Sequence, residues 1–245
     1  MLVRIGHILV GRDRAGRGGK TAAAHFLDAE RDWWDGTTAG PIAGVDEVGR
    51  GAWAGPLSVG VAVVRRSLEV QGPDKKGLCM GAPAGLTDSK LLSELARENL
   101  FAPVARWCRA WAVGHASPEE CDYLGMSKAQ RLAARRGVSI VEKELGVPVQ
   151  GFIVDGNWDF VGDGRAQVKM LVGGDRTCGP VAAAALLAKV TRDRLMIAQA
   201  PLYPSFEFDR NKGYPSPHHI EALKERGPTP IHRTTWSYMD RLGLR

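Results

Sequence analysis

The chain has 245 residues, 44% hydrophobic and 24% charged, with a net charge of +6 and a pI near 9.3. That length and composition exclude wholesale disorder, and no run approaches the ~18 apolar residues of a membrane span. The four cysteines (Cys79, Cys108, Cys121, Cys178) are scattered without a C-x-x-C pair, which argues against a disulfide framework or a zinc site. Gly11 to Lys20 interrupts any apolar stretch near the N-terminus, so no signal peptide is read there. A cytoplasmic monomer is expected, without membrane attachment. The basic balance permits a polyanionic partner.

In chain order, residues 1–40 read as an N-terminal extension, partly disordered, with a short helix at about 25–35. Arg12, Arg14, Arg17 and Lys20 make it basic. Its G-G-K-T ending imitates a phosphate loop, but Arg14 stands where the first required glycine belongs, so the pattern fails. Next comes I-A-G-V-D-E-V-G-R-G-A-W-A-G-P, Ile42 to Pro56. A buried strand over 42–48 delivers Asp46 and Glu47 into a glycine-rich turn. Adjacent strand residues face opposite ways, so at least one acid must meet water, a cation or a partner. Gly49 and Gly51 let a ligand approach the main chain, and Arg50 offers a fork for phosphate. The same turn fits G-x-G-x-x-G/A, the dinucleotide fingerprint. That fingerprint needs a helix next, whereas Leu57 to about residue 65 alternates as a second strand.

A Gly/Pro-rich surface loop is expected from Gly72 to Gly85. A helix capped by Thr87, Asp88 or Ser89 follows, with Leu91, Leu92 and Leu95 as apolar positions. Trp107 to His115 reads as a third strand, and Ser117-Pro118 opens a helix. Met126 to Leu145 is amphipathic, and its Lys128, Arg131, Arg135 and Arg136 read as a solvated face. Two further apolar runs end at acids: V-P-V-Q-G-F-I-V-D at Asp155 and V-K-M-L-V-G-G-D at Asp175. Three strands thus deliver carboxylates at their C-terminal ends, where open α/β sheets place their sites. An alanine-rich helix spans Pro180 to Arg194, and its Lys189 and Arg192 either face phosphate or serve structure.

Asp46, Glu47, Asp155 and Asp175 brought together would repel unless cations intervened. Oxygen ligands without His or Cys favour Mg²⁺ or Mn²⁺. Two such ions can drive phosphodiester cleavage, and no spacing suggests a side-chain nucleophile.

D-E-V-G-R-G followed by A-G-P resembles the signature of the ribonuclease HII family, type 2 ribonuclease H. The V-D-G-N turn, the acid twenty residues beyond it, the A-A-A…L-A-K-V-T-R-D helix, N-K-G-Y-P-S-P-H-H and His232-Arg233 resemble that family too, in its order. This chain departs in having Ala52-Trp53 for Pro-Leu, Gly173 for Lys and Ala185 for Ser. The resemblance implies a ribonuclease-H-like fold, a central mixed sheet flanked by helices, with a small C-terminal helical region. It places the catalytic domain at 41–236 and a tail at 237–245. It implies cleavage of the RNA strand of RNA–DNA hybrids, and cutting 5′ of single ribonucleotides in duplex DNA, in the service of ribonucleotide removal. The metal and catalytic set would be Asp46, Glu47, Asp155 and Asp175. The Gly49-Arg50-Gly51 backbone and Tyr214 would read the 2′-OH, with Lys90, Asn157 and Lys189 as further substrate contacts. Alternatives are another nuclease or transposase of that fold, or a non-catalytic nucleic-acid-binding protein.

Overall fold

The computed structural model describes residues 40–64, 82–86, 88–162 and 164–244. The N-terminal extension, its expected helix and most of the Gly72–Gly85 loop lie outside the described residues. Five strands form one mixed sheet: β1 (Ile42–Val48), β2 (Leu57–Val64), β3 (Cys108–Ala116), β4 (Gly151–Asp155) and β5 (Gln167–Leu171). Their order is β3-β2-β1-β4-β5. β1, β2 and β3 are antiparallel neighbours, while β4 lies parallel to both β1 and β5. No helix among the described residues is long and apolar enough to cross a membrane.

Period-two patterning sorts the side chains onto two helical layers. Val59, Val61 and Val63 join Ala43 and Val45 in a core with Ala129, Ala133 and Val141 of α3 (Met126–Leu145). Ala62 and Val64 face the other way, onto α1 (Glu94–Trp107) and α5 (Gly179–Gln199). The alanine run of α5 brings its backbone close to the strands: a Cβ on Gly44 would lie 2.1 Å from the Pro180 carbonyl carbon. Small residues on both sides make that approach possible.

Three sequence boundaries move. Residues 88–92 are turns, and α1 starts at Glu94 behind the cap Ser93, whose Oγ accepts from Ala96 N–H. Asp88 Oδ1 instead takes the Lys90 N–H at 2.8 Å, a local bond that competes with helix. Leu91 and Leu95, read as apolar helix positions, are each 71% exposed. α1 runs through Trp107, so β3 begins one residue later than expected. The apolar run before Asp175 does not stay extended: β5 stops at Leu171, and Asp175 sits on α4 (Gly174–Thr177) after Gly173 turns left-handed, φ 70°. α2 (Pro118–Leu124) opens with a full capping box between Ser117 and Glu120. Arg136 holds that Glu120 with two bonds, 2.6 and 2.7 Å, and the His115 carbonyl with a third.

The C-terminal region is α6 (Phe208–Asn211), α7 (Pro217–Arg226) and α8 (Ser237–Arg241). Residues expected as a tail are part of the domain. Tyr238 and Met239 are buried with Ala54, Met196 and Phe208, and Trp53 stacks on Tyr238 at 4.0 Å. That stack gives the Trp53 departure its role, because it clips the glycine-rich turn to the last helix.

Candidate active site

β1 brings Asp46 and Glu47 to the edge of the two helical layers, on opposite faces. Asp46 is only 7% exposed, and its Oδ1 accepts the Glu47 N–H at 2.7 Å. Glu47 reaches toward α3, where its Oε2 accepts from Gln130 Nε2 at 3.2 Å. Asp155 ends the parallel neighbour β4. Its Oδ1 accepts the Gly174 N–H at 2.8 Å, tying it to the turn that carries Asp175, itself buried.

The electrostatics show four acids sharing one region. Burial first, then Asp155 and Glu47, pushes the Asp46 carboxyl well above the usual range. Burial, and then Asp155, raises Glu47, although Arg50 opposes the rise. Burial also raises Asp175, with Asp155 and Asp88 adding to it. Lys90 is the counterweight. Partial burial disfavours its charge, but Asp46, Asp175, Asp88 and Asp155 together outweigh that and raise its pKa. As the side chains stand, no group of three or more His, Cys, Asp or Glu among the described residues is arranged to hold a metal ion. One oxygen each of Asp46 and Asp155 is engaged by a backbone amide.

A cavity of about 310 Å³ opens beside these acids, lined among others by Asp46, Glu47, Lys90, Lys189 and Tyr214 together with the Gly49-Arg50-Gly51 backbone. Ala185 lines it too, so the missing hydroxyl is absent from the cleft wall itself. Asn157 is exposed on the turn after β4 and is not among the lining residues. Lys189 enters the cleft while paired with Asp193 at 2.8 Å. Arg192 does not face phosphate. It is fully buried and donates to the carbonyls of Pro56, Lys212 and Ala54. Arg233 does the same for the carbonyls of Arg50, Gly49 and Gly55. Two buried guanidinium forks therefore fix the turn, and their charge-assisted bonds offset the desolvation.

The two glycines of the turn differ physically. Gly49 has φ 85°, and a Cβ there would meet the Arg192 side chain at 2.2 Å. At Gly51 a Cβ would meet nothing within 4 Å, which leaves open space for the ligand contact expected there from the sequence. Gly51→Ala should leave the melting temperature within about 2 °C and still raise KM by roughly tenfold, since the methyl group takes up ligand space. A stable variant with unchanged KM contradicts this reading.

Tyr214 stands over the same turn, and its hydroxyl oxygen accepts the Gly49 N–H at 3.1 Å. Its position is set from behind by two buried histidines. His219 Nδ1–H donates to the Tyr214 carbonyl at 2.8 Å, leaving Nε2 to accept from His232 Nε2–H at 2.9 Å. His232 Nδ1 then accepts the Thr229 N–H. Both rings are neutral in this chain of bonds, and burial holds both below the ordinary pKa, His232 at about 3.

Gln130, Asp88 and Arg233 carry site geometry that sequence reasoning missed. Gln130 is fully buried and bridges Glu47 to Arg50, whose Nη1 donates to its Oε1 at 3.2 Å. The available signal was a polar residue on the buried stripe of α3, among Ala129, Ala133 and Gly137. Gly173 carries no charge, but the Arg176 guanidinium lies 3.6 Å from where its Cβ would be and 3.8 Å from Asp88. A cation thus stands beside the site by another route.

A mixed sheet in this order, with carboxylates at the ends of its two central strands, defines the ribonuclease-H-like class of nucleases. Solved structures agree: the ribonuclease H2 of Pyrococcus horikoshii OT3 superposes with a TM-score of 0.63 at 30% identity, over 82% of this chain and 96% of that one. Bst-RNase HIII in complex with Mn²⁺ shares the fold at 18% identity and a TM-score of 0.59, over 82% of this chain and 68% of that one. The family profile for Ribonuclease HII matches residues 43–239. The ribonuclease HII of Streptomyces avermitilis is 46% identical over 84% of this chain and 81% of its own length. That of Caulobacter vibrioides is 41% identical over 80% and 84%. The chain belongs to the ribonuclease HII family, and it is a ribonuclease H, a phosphodiester hydrolase.

Proposed function

We propose that this enzyme hydrolyses the RNA strand of RNA–DNA hybrids endonucleolytically and also cuts 5′ of a single ribonucleotide embedded in duplex DNA. The products carry 3′-hydroxyl and 5′-phosphate ends, and the activity serves ribonucleotide removal from DNA. The observation that carries the reading is the Gly49 N–H bonded to the Tyr214 hydroxyl across 165 residues of sequence. A backbone donor and a rotatable hydroxyl meet at one point of the cleft wall, and a 2′-OH can donate and accept there. The Tyr214 ring offers a face for the adjoining deoxyribose, where its hydroxyl cannot find a 2′ partner.

Asp46, Glu47, Asp155 and Asp175 would hold two divalent cations, Mg²⁺ or Mn²⁺. Their donor set fits: all are hard oxygens, and burial with repulsion from neighbouring acids already destabilises the charges of Asp46, Glu47 and Asp175. When bound, such ions supply an activated water and positive charge against the leaving 3′ oxygen. The protein's own groups do the rest. Gln130 holds Glu47 and Arg50 in a fixed relation, Arg50 and Lys189 meet phosphate, and Lys90 balances the acids before substrate arrives.

Selectivity gives the test. Tyr214→Phe keeps the ring and removes one hydrogen bond worth roughly 0.5–1.5 kcal/mol, so kcat/KM should fall about 2- to 12-fold. Tyr214→Ala removes the surface as well and should cost more, chiefly on a duplex with one ribonucleotide, because a long hybrid offers many registers. Both variants are assayed on both substrates. Wild-type cleavage of the single-ribonucleotide duplex by Tyr214→Ala would remove Tyr214 from recognition.

A further inference from the structure

Beside the cleft, α3 and the loop after β4 enclose a second groove of about 270 Å³, lined by Leu124, Lys128, Arg131, Arg135, Phe160 and Val161. Building on the reading of the cleft as a nuclease site, we propose that this groove binds the phosphate backbone of the duplex beyond the scissile nucleotide.

The first argument is the fate of the four basic residues of α3 from Lys128 to Arg136. Arg136 is committed to Glu120 and the His115 carbonyl. Arg131 is fixed at the groove wall, donating to the Asp159 carbonyl at 2.7 Å with its guanidinium 5.2 Å from the Trp158 ring centre. Lys128 and Arg135 are exposed, and neither has a hydrogen bond or ion pair among the described residues. Three cations therefore line one face of one helix at i, i+3 and i+7, over about 10 Å. A single strand presents a phosphate every ~3.4 Å of helix axis, so the row spans two or three phosphates. Asp159 on the loop is engaged locally: its Oδ1 accepts the N–H groups of Val161 and Gly162 at 2.8 and 2.7 Å. Phe160 and Val161, themselves buried in the core, form the groove's floor.

The second argument is that both walls are extensions of the active site. α3 is bonded to Glu47 and Arg50 through Gln130, next in sequence to Arg131. The loop begins at Asp155 and reaches Phe160 five residues later. The two walls thus link the groove to the cleft along the chain, so a strand held in the cleft would continue toward it.

The experiment compares full-length wild type with the Lys128→Ala/Arg135→Ala double variant, both sites being exposed. Binding of a long hybrid is followed by fluorescence anisotropy in EDTA over a salt series, and kcat and KM are measured with Mg²⁺. Kd should rise roughly tenfold near 0.1 M salt, and the log–log salt slope should shrink by about 2. KM should follow Kd while kcat stays within twofold. Hybrids trimmed from one end or the other locate the contact: trimming on one side should erase the difference between the proteins. Unchanged Kd and salt slope on the long hybrid would overturn the proposal. So would a difference that survives trimming from either end, which marks a general field and no groove. Failure of wild type to cut single-ribonucleotide DNA would sink the functional reading and leave this binding comparison standing.

Discussion

Asp46→Asn should lower kcat by about 10³-fold or more, since losing a metal-binding carboxylate removes several kcal/mol of transition-state stabilisation and ~1.4 kcal/mol corresponds to tenfold. Asp155→Asn should behave alike. The fold should survive, and the metal-free Asp46 variant should be more stable than wild type at neutral pH. The sign follows from the raised carboxyl groups of Asp46, Glu47 and Asp175. A carboxyl that protonates more readily when folded stabilises the protein at acid pH, and that stability is lost as pH rises through its folded pKa. Metal-free wild type should therefore weaken as pH climbs from the ordinary carboxylate values of 3.8 to 4.5 through the raised ones. Mg²⁺ should restore stability chiefly on the neutral side of that window. Thermal melts with and without Mg²⁺ at several pH values, beside turnover, check both statements. Near-wild-type turnover in either variant would take that residue out of the site.

Arg233→Met should be the most damaging change outside the carboxylates. The guanidinium of Arg233 is 0% exposed and serves three carbonyls of the glycine-rich turn. Burial lowers its pKa to about 10, which leaves it charged at neutral pH. Stranding three buried acceptors at 1–3 kcal/mol each should cost about 3 kcal/mol or more in denaturant unfolding. Activity should fall further than stability accounts for, because Gly49 and Gly51 lose their fixed positions. Arg233→Lys should rescue little, since one ammonium cannot reproduce the fork. A loss below about 1 kcal/mol would show that water replaces the guanidinium freely.

The central strands were legible because their alternation and boundaries are local: 42–48, and the helix Met126–Leu145, stand where periodicity puts them. The strand-end positions of Asp46, Glu47 and Asp155 were legible for the same reason, as acids closing apolar runs. Asp175 was read as a strand end by that logic but sits on a helical turn, because Gly173 leaves the extended region and no pattern of hydrophobicity records it. The start of α1 was misplaced because Asp88 bonds to its own local backbone and faces the site acids, a tertiary preference that overrides capping propensity. Arg192 and Arg233 could not be assigned from sequence. Whether a guanidinium meets phosphate or the protein's own carbonyls depends on contacts more than a hundred residues away. Gln130 was hidden likewise: its partners Glu47 and Arg50 lie 83 and 80 positions distant.

The most direct test of the account is cleavage of a DNA duplex carrying one ribonucleotide, with and without Mg²⁺, resolved to single-nucleotide length. A single Mg²⁺-dependent cut on the 5′ side of the ribonucleotide, leaving a 3′-hydroxyl on the upstream product, is the predicted result. Cleavage of an all-DNA duplex at comparable rate, or no Mg²⁺-dependent product at all, would contradict it.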